Sequence, residues 1–160
     1  MAPLPVVRMD FPYRKAGRRA PDKAPVLVRS VVAEAEALAA SLGVGTEALV
    51  LGGRSMGGRM CSMAVAEGLP AAGLVLLAYP LHPPGRPEKL RVEHLPEVTV
   101  PCLFVSGTRD PFGSPDELAA ATALVGGPVT VHLVDGGGHD LRRADAQVAG
   151  VVAEWVAGLA

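Results

Sequence analysis

Residues 48–58 read ALVLGGRSMGG, a short apolar run that passes through a glycine-rich turn into a helical pattern. Within this stretch, Gly53, Ser55 and Gly57 form the pattern G-x-S-x-G, with a strand-like segment before it and a helical segment after it. A sharp strand-to-helix turn strains the serine backbone, which the flanking glycines permit, and exposes the hydroxyl group. We therefore expect Ser55 to be a nucleophile at the carboxyl edge of a sheet, with the Met56 N–H as an oxyanion donor.

The rest of the chain alternates short apolar runs with longer helical patterns. The runs predict strands at residues 5–9, 48–51, 73–78, 101–105 and 129–134, and the helical patterns cover residues 25–42, 55–67, 114–125 and 145–159. Continuous apolar runs bounded by Gly or Pro are typical of parallel strands that are covered on both faces. The sequence thus predicts one α/β domain over residues 1–160, with a mainly parallel sheet of about five strands. The proline-rich segment 81–101 is interpreted as a loop with at most a short helix.

Composition excludes several classes of protein. The chain has 160 residues, of which 49% are hydrophobic, and its net charge is −1, so neither global disorder nor a nucleic-acid-binding domain is favoured. No apolar run reaches the length of a membrane span, and the first ten residues do not resemble a secretory signal. Cys61 and Cys102 lie in apolar stretches and are interpreted as buried thiols. We therefore expect a cytoplasmic protein that binds neither nucleic acid nor membranes.

Basic residues are concentrated near the beginning of the chain, where residues 8–29 hold seven of the fifteen lysines and arginines. The simpler interpretation is a solvated loop. The alternative is an anion-attracting patch near a ligand cleft, and the sequence does not separate the two.

A serine at its ordinary pKa needs a base, and that base needs an acid to orient it. Asp110 follows the strand predicted at 101–105, and His139 follows the strand at 129–134 on a glycine-rich loop. Both residues are therefore expected at the same sheet edge as Ser55, in the order nucleophile, acid, base. Asp135 is the alternative acid. Of the other histidines, His82 and His94 lie in the proline-rich segment, and His132 lies within a predicted strand, where a structural histidine is expected.

Metal and nucleotide sites have no support in the sequence. Residues 43–48, GVGTEA, superficially match a dinucleotide fingerprint, but they precede a strand instead of opening a helix after one. No lysine follows a glycine loop in a phosphate-binding pattern, and no histidine–glutamate metal spacing occurs. We therefore predict no cofactor and no metal.

With these residues in place, the chain resembles the α/β-hydrolase superfamily. Within it, the sequence is similar to the dienelactone-hydrolase-related group that includes testis-expressed and chromatin-complex α/β-hydrolase-like proteins. The blocks that carry the resemblance are RMDFPY (8–13), AGRRAP (16–21), GRSMGGR (53–59), YPLHPPG (79–85), GTRDPFG (107–113) and GHD (138–140). The resemblance implies that Ser55 is the nucleophile, Asp110 the acid and His139 the base. It also implies a wall around the cleft that includes Tyr13, Tyr79, His82 and Phe112.

The sequence departs from that family at its N-terminal end. Relatives usually have a strand that ends in a His-Gly-type loop, and then a helix, before the strand equivalent to residues 5–9. We expect this chain to lack that strand and helix, and we interpret Met1 as the start of a shortened reading frame. The absent loop would supply the second oxyanion N–H. Residues 5–9 must then pair directly with residues 48–51 or leave unpaired backbone groups.

The resulting hypothesis is a serine hydrolase that acts on a small carboxylic ester, lactone or thioester without a cofactor. Its expected partner is the small-molecule substrate, and no protein partner is indicated. The alternative is a non-catalytic interaction domain of the same fold, or an inactive short form.

Overall fold

The computed structural model describes residues 5–159, in which helices cover both faces of a four-stranded sheet. The strands are β1 (Val50–Arg54), β2 (Gly73–Leu77), β3 (Cys102–Gly107) and β4 (Val129–Val134). They lie side by side in that order, and each neighbouring pair is parallel. The helices are α1 (Pro12–Lys15), α2 (Ala24–Leu42), α3 (Met56–Ala66), α4 (Pro115–Thr122) and α5 (Asp145–Ala157), with 3-10 turns at Thr46–Ala48 and Leu95–Glu97. The predicted α/β architecture is confirmed.

The core has two halves because successive residues of a strand point to opposite faces of the sheet. One half lies between the sheet and helices α2, α3 and α4, and it includes Leu74 and Phe104. The other half lies between the sheet and α5, where Val75 and Leu103 pack near Trp155. Helix, sheet and helix therefore form three layers, and the sheet is covered on both faces as predicted.

Local sequence signals set the helix that follows β3. Ser114 caps α4, and Glu117 completes a capping box in which the Ser114 N–H donates to a Glu117 carboxylate oxygen at 2.7 Å. Pro115 occupies the first helical position, where its missing N–H leaves no hydrogen bond unmade. Each of the four long predicted helices is confirmed, with ends that differ by at most a few residues.

The strand predicted at residues 5–9 is wrong, and the sheet within residues 5–159 has four strands instead of about five. Val6 and Val7 are 76% and 69% exposed, and residues 5–9 pair with no strand. An apolar run becomes a strand only where a neighbouring strand accepts its backbone hydrogen bonds. In the described part of the chain, one edge of β1 is therefore open. Its backbone groups at Val50, Gly52 and Arg54 face away from β2.

The two cysteines are buried as predicted, and each thiol donates to a backbone oxygen, Cys61 to Gly52 and Cys102 to Val100. Burial raises the pKa of Cys61 to about 11 and the pKa of Cys102 to about 12. Both groups are therefore neutral and poorly nucleophilic at ordinary pH. Across residues 5–159, none of the helices combines the length and apolarity that a membrane crossing requires.

Close backbone contact joins the ends of β3 and β4. The Thr108 N–H donates to Val134 O at 3.0 Å, and the Arg109 N–H donates to Gly137 O at 2.9 Å. A Cβ atom on Gly107 would overlap the Gly137 carbonyl group, so only glycine fits at this position without movement of the backbone. The loop that follows β4 is thereby held against the loop that follows β3.

We predict that Gly107→Ala destabilises the protein by about 1–3 kcal/mol, because the added methyl group overlaps backbone atoms that cannot rotate away. Urea unfolding followed by circular dichroism measures this change. Gly150→Ala in α5 is the matched control, since a Cβ atom there meets nothing within 4 Å. That variant should be stabilised by up to about 1 kcal/mol, the difference in helix propensity. Equal unfolding midpoints for Gly107→Ala and the unmodified protein would contradict the predicted contact.

Candidate active site

Ser55 lies between the end of β1 and the first residue of α3. Its N–H donates to Leu77 O at 2.8 Å, and its carbonyl oxygen accepts from the Arg59 N–H at 3.1 Å. The serine is thus tied on one side to the end of β2 and on the other to the first turn of α3. These two bonds hold Ser55 at the carboxyl edge of the sheet, between β2 and α3.

The backbone of Ser55 is strained, with φ 51° and ψ −121°, a conformation that costs an L-residue about 1–3 kcal/mol. Neighbouring glycines allow the turn to close. A Cβ atom on Gly53 would lie 2.7 Å from the Gly57 carbonyl carbon, and one on Gly58 would lie 2.6 Å from Gly53 O. The strand and the helix therefore approach more closely than side chains permit, as the G-x-S-x-G pattern predicts.

Asp110 lies in the loop after β3, and its side chain is 2% exposed. One carboxylate oxygen accepts the Phe112 N–H at 2.8 Å. Both oxygens lie near His139 Nδ1, at 3.0 and 2.9 Å. A buried carboxylate needs such donors, because removing an unpaired charge from water is costly.

His139 lies in the loop after β4 and connects the other two residues. Its Nε2 is 2.8 Å from Ser55 Oγ, on the side of the ring opposite Asp110. The carboxylate can only accept, so Nδ1 carries the hydrogen and Nε2 accepts from the serine hydroxyl. The structure therefore joins Ser55, His139 and Asp110 in one continuous relay of hydrogen bonds, although they come from three separate loops.

The alternative acid lies elsewhere. Asp135 is exposed, and its carboxylate accepts from Thr108 Oγ1 at 3.5 Å instead of from His139. Of the remaining histidines, His132 contacts Gln147 at 2.9 Å, and His94 contacts Ser62 at 2.8 Å. Neither has a carboxylate partner among the described residues.

An aromatic ring covers His139. The rings of Phe112 and His139 are stacked, with centroids 3.9 Å apart and planes inclined by 24°. Phe112 is held in turn by His82, whose backbone N–H donates to the Phe112 carbonyl oxygen at 3.2 Å. Of the four residues expected to line the cleft, Phe112 is the one that the structure brings against the relay.

The other three expected wall residues form no hydrogen bond with the relay. Tyr79 is 2% exposed, packs on Phe104 and donates its hydroxyl hydrogen to Arg91 O at 2.9 Å. His82 is buried, with Nδ1 2.8 Å from Pro83 O and Nε2 3.0 Å from a Glu117 oxygen. Tyr13 stacks on Phe11 and belongs to the core.

Sequence reasoning did not foresee the contact between His82 and Glu117. The capping-box signal identifies Glu117 as a helix-start residue, which it is. Its second carboxylate oxygen binds a histidine 35 residues earlier in the chain, and no spacing rule predicts such a pair. This contact fixes the segment that supports Phe112.

The oxyanion donor predicted from the sequence is the Met56 N–H. The Met56 N–H opens α3 and has no hydrogen-bond acceptor among residues 5–159. Its position directly after Ser55 is the one that an oxyanion donor occupies in this kind of turn. The same residues hold no cluster of three or more His, Cys, Asp or Glu side chains arranged for a metal ion.

The basic segment near the beginning of the chain is a solvated surface. A shallow groove of about 340 Å³ is lined by Asp10, Arg14, Gly17, Arg18 and Arg19. Arg18 pairs with Asp22 at 2.9 Å, so part of the positive charge is compensated. This arrangement agrees with the simpler of the two interpretations of the basic residues.

Known proteins share this architecture. A puromycin hydrolase is 21% identical with a TM-score of 0.65, and the alignment covers 81% of this chain and 24% of that one. A Bacillus cereus carboxylesterase is 18% identical with a TM-score of 0.61, over 86% and 62% of the two chains. An Anabaena variabilis dienelactone hydrolase is 19% identical with a TM-score of 0.66, and the alignment covers 83% of this chain and 59% of that one. The chain thus spans less than two thirds of the length of each, and the likeness is one of fold.

The family is defined by sequence. Residues 2–154 match the family described as "Alpha/beta hydrolase domain", which is nearly the whole chain. The narrower similarity to testis-expressed and chromatin-complex relatives stays a prediction. The strained serine turn, the parallel sheet and this match agree, and the protein belongs to the α/β hydrolase domain family.

Proposed function

We propose that this protein is a serine hydrolase that cleaves a small carboxylic ester, lactone or thioester through an acyl-enzyme intermediate. The observation that carries the proposal is the continuous relay from Ser55 Oγ through His139 to the buried Asp110 carboxylate. Family membership supports the same reaction class. The expected partner is the small-molecule substrate, and the two free thiols support a reducing, cytoplasmic compartment.

In the first half of the reaction, Ser55 Oγ attacks the carbonyl carbon while its proton passes to His139 Nε2. The carbonyl oxygen becomes an oxyanion, which the Met56 N–H can receive. Asp110 stabilises the imidazolium and keeps the ring in place. The tetrahedral intermediate then expels the alcohol or thiol, which takes its proton from His139 Nε2 as the bond to carbon breaks.

In the second half, water replaces the leaving group. His139 Nε2 accepts a proton from water as the oxygen attacks the acyl carbon, and a second tetrahedral intermediate forms. Its collapse releases the carboxylic acid, and the proton on His139 returns to Ser55 Oγ. In this cycle Ser55, His139 and Asp110 make the covalent bond and move the protons, and water is the only co-reactant consumed.

A second candidate, a non-catalytic interaction domain, is favoured by one feature. The open edge of β1 offers backbone donors and acceptors to an incoming strand, which is a common means of binding an extended peptide. The relay does not favour this candidate, because a binding surface needs no buried acid behind a serine and a histidine. Covalent labelling of the serine distinguishes the two candidates.

We predict that a fluorophosphonate probe labels the protein and that Ser55→Ala abolishes the labelling. Hydrolysis of p-nitrophenyl esters should fall by about 10⁴-fold or more in the same variant, because the nucleophile is lost. Ser62→Ala is the matched control, since Ser62 Oγ also lies 2.8 Å from a histidine nitrogen but is fully buried. Labelling that persists in Ser55→Ala would rule out the proposed mechanism, and an unlabelled wild-type protein would favour the interaction domain.

The acid can be tested separately. Asp110→Asn should lower kcat by about 10⁴-fold, because the amide favours the wrong histidine tautomer and leaves the imidazolium unpaired. Asp135→Asn, the control, should change kcat by less than about twofold, since surface changes away from the relay have small effects. Steady-state ester hydrolysis measures both variants. The assignment fails if the two substitutions have equal effects.

Phe112 is expected to position the base and stabilise its charged form. Phe112→Leu should lower kcat by about 3- to 30-fold with little change in KM, because the π face that stacks on the imidazolium is lost. Phe112→Tyr, which keeps the ring, should restore kcat. A change confined to KM, or no rescue by tyrosine, would show that the stack has no part in the chemical step.

A further inference from the structure

His82 is a buried histidine whose two ring nitrogens both face acceptors. The residue is 4% exposed and lies in the segment that follows β2. Its Nδ1 is 2.8 Å from the Pro83 carbonyl oxygen, and its Nε2 is 3.0 Å from a Glu117 carboxylate oxygen. A carbonyl oxygen and a carboxylate can only accept hydrogen bonds, whereas a neutral imidazole has a single N–H. Both contacts are therefore hydrogen bonds only when His82 is an imidazolium ion, with a hydrogen on each nitrogen.

Glu117 is held as a carboxylate by the start of its own helix. Its second oxygen accepts the Ser114 N–H at 2.7 Å, and Ser114 Oγ accepts the Glu117 N–H at 3.3 Å. Hydrogen bonds with Ser114 are the main cause that lowers the pKa of Glu117, and His82 lowers it further. The hydrogen between the two side chains therefore belongs to His82.

The other charged groups of the segments around His82 have partners of their own or face solvent. Asp110 is bonded to His139. In the segment that follows His82 and in the first turn of α4, four further charged side chains are exposed: Arg86, Glu88, Lys89 and Asp116. Within residues 5–159, Glu117 is therefore the carboxylate that pairs with His82.

Three contacts join the His82 segment to the loop that follows β3. The His82 backbone N–H donates to the Phe112 carbonyl oxygen at 3.2 Å. Leu81 packs so closely on Gly113 that a Cβ atom there would lie 2.7 Å from Leu81 Cδ1. The pair of His82 and Glu117 is the third contact, at the start of α4. The loop is thereby held at its middle and at its far end.

That loop supplies both of the groups that restrain the His139 ring. Asp110 lies 2.9 Å from His139 Nδ1 and accepts the Phe112 N–H at 2.8 Å, while the Phe112 ring stacks on the imidazole. A shift of the loop would therefore move the acid and the aromatic ring together. A displacement of about 1 Å in such groups can lower a rate by about 100-fold.

We propose that His82 is a positioning residue for the reaction, and that its imidazolium form, bound to Glu117, keeps Asp110 and Phe112 in place against His139. When His82 loses one hydrogen as the pH rises, a ring nitrogen faces an acceptor with no hydrogen between them. The contact then weakens, the loop is held less firmly, and kcat falls.

His139 has the opposite requirement, because its Nε2 must be unprotonated to accept the serine proton. The pH dependence of kcat is therefore bell-shaped, with the acid limb from His139 and the alkaline limb from His82. For this kinetic readout the inference rests on the proposed function, whereas the charge on His82 can be tested without turnover.

The first experiment measures kcat for a p-nitrophenyl ester from acidic to alkaline pH, after subtraction of the spontaneous reaction. In the wild-type protein, kcat should fall by about 10- to 100-fold on the alkaline side, the value of one charge-assisted hydrogen bond. Glu117→Gln should remove this fall, because the amide N–H can donate to neutral His82 while the amide oxygen still accepts the Ser114 N–H. Glutamine also completes a capping box, so the variant should fold, which circular dichroism checks.

Asp116→Asn is the matched control, since it removes a charge from the same helical turn at an exposed position. It should keep the alkaline fall of the wild-type protein. A pair that only stabilised the fold would alter the unfolding midpoint and leave the shape of the profile unchanged. A wild-type profile without an alkaline limb, or a limb that persists in Glu117→Gln, overturns the proposal.

The second experiment observes His82 directly in the resting protein. With ¹⁵N-labelled histidine, both ring nitrogens of His82 should show the NMR chemical shift of a protonated nitrogen at neutral pH, and His82→Asn assigns the signals by their loss. In Glu117→Gln, one nitrogen should shift to the unprotonated position at the same pH. An unprotonated His82 nitrogen in the wild-type protein at neutral pH overturns the proposal.

The outcomes separate this inference from the proposed function. An active hydrolase in which His82 is neutral supports the proposed function and overturns the positioning role. A doubly protonated His82 that responds to Glu117→Gln, in a protein that hydrolyses no ester and takes no fluorophosphonate label, supports the charged pair and overturns the proposed function instead.

Discussion

Contact between the backbones of Gly53 and Gly58 determines how β1 turns into α3. A methyl group at either position would meet backbone atoms at 2.6–2.7 Å, so the strand and the helix can approach only because neither residue has a side chain. This approach holds Ser55 at a positive φ, in a conformation that it would leave if the turn opened. The packing of α3 on β1 and β2 stabilises the turn against that strain. The position of the Ser55 hydroxyl group is thus a consequence of the backbone packing between Gly53 and Gly58.

A second backbone contact, between Gly107 and Gly137, does the same for His139 and Asp110, the proposed base and acid. It brings the loop after β4 against the loop after β3, where Arg109 N–H and Gly137 O are bonded at 2.9 Å. Asp110 and His139 each lie a few residues beyond this contact. The separation of their side chains is therefore set by main-chain atoms, which vary less than side-chain rotamers do. Phe112 adds a lateral restraint by stacking on the imidazole ring.

Local patterns predicted much of this structure. The sequence SPDE at 114–117 predicts the start of α4, because a capping serine, a proline and two acids satisfy the helix terminus locally. The sequence likewise predicts the G-x-S-x-G turn. It also predicts that Ser55, Asp110 and His139 lie at one edge of the sheet, because each of them follows an apolar run. The segment 5–9 has the same apolar character but pairs with no strand within residues 5–159, and strand formation depends on a pairing neighbour. The contacts of His94 with Ser62 and of Glu117 with His82 join distant segments, so no residue spacing could indicate them.

The separation between Ser55 and His139 has a consequence for folding. The two residues are 84 positions apart, and three parallel strand pairings must form before their side chains can meet. Loop closure over such distances is entropically costly, and parallel sheets with many non-local contacts fold slowly. A chain in which β4 has not yet docked would have the Ser55 turn without His139 beside it. Native secondary structure can therefore precede the meeting of Ser55 and His139, and the pairing of β4 with β3 decides when the two side chains come within hydrogen-bond distance.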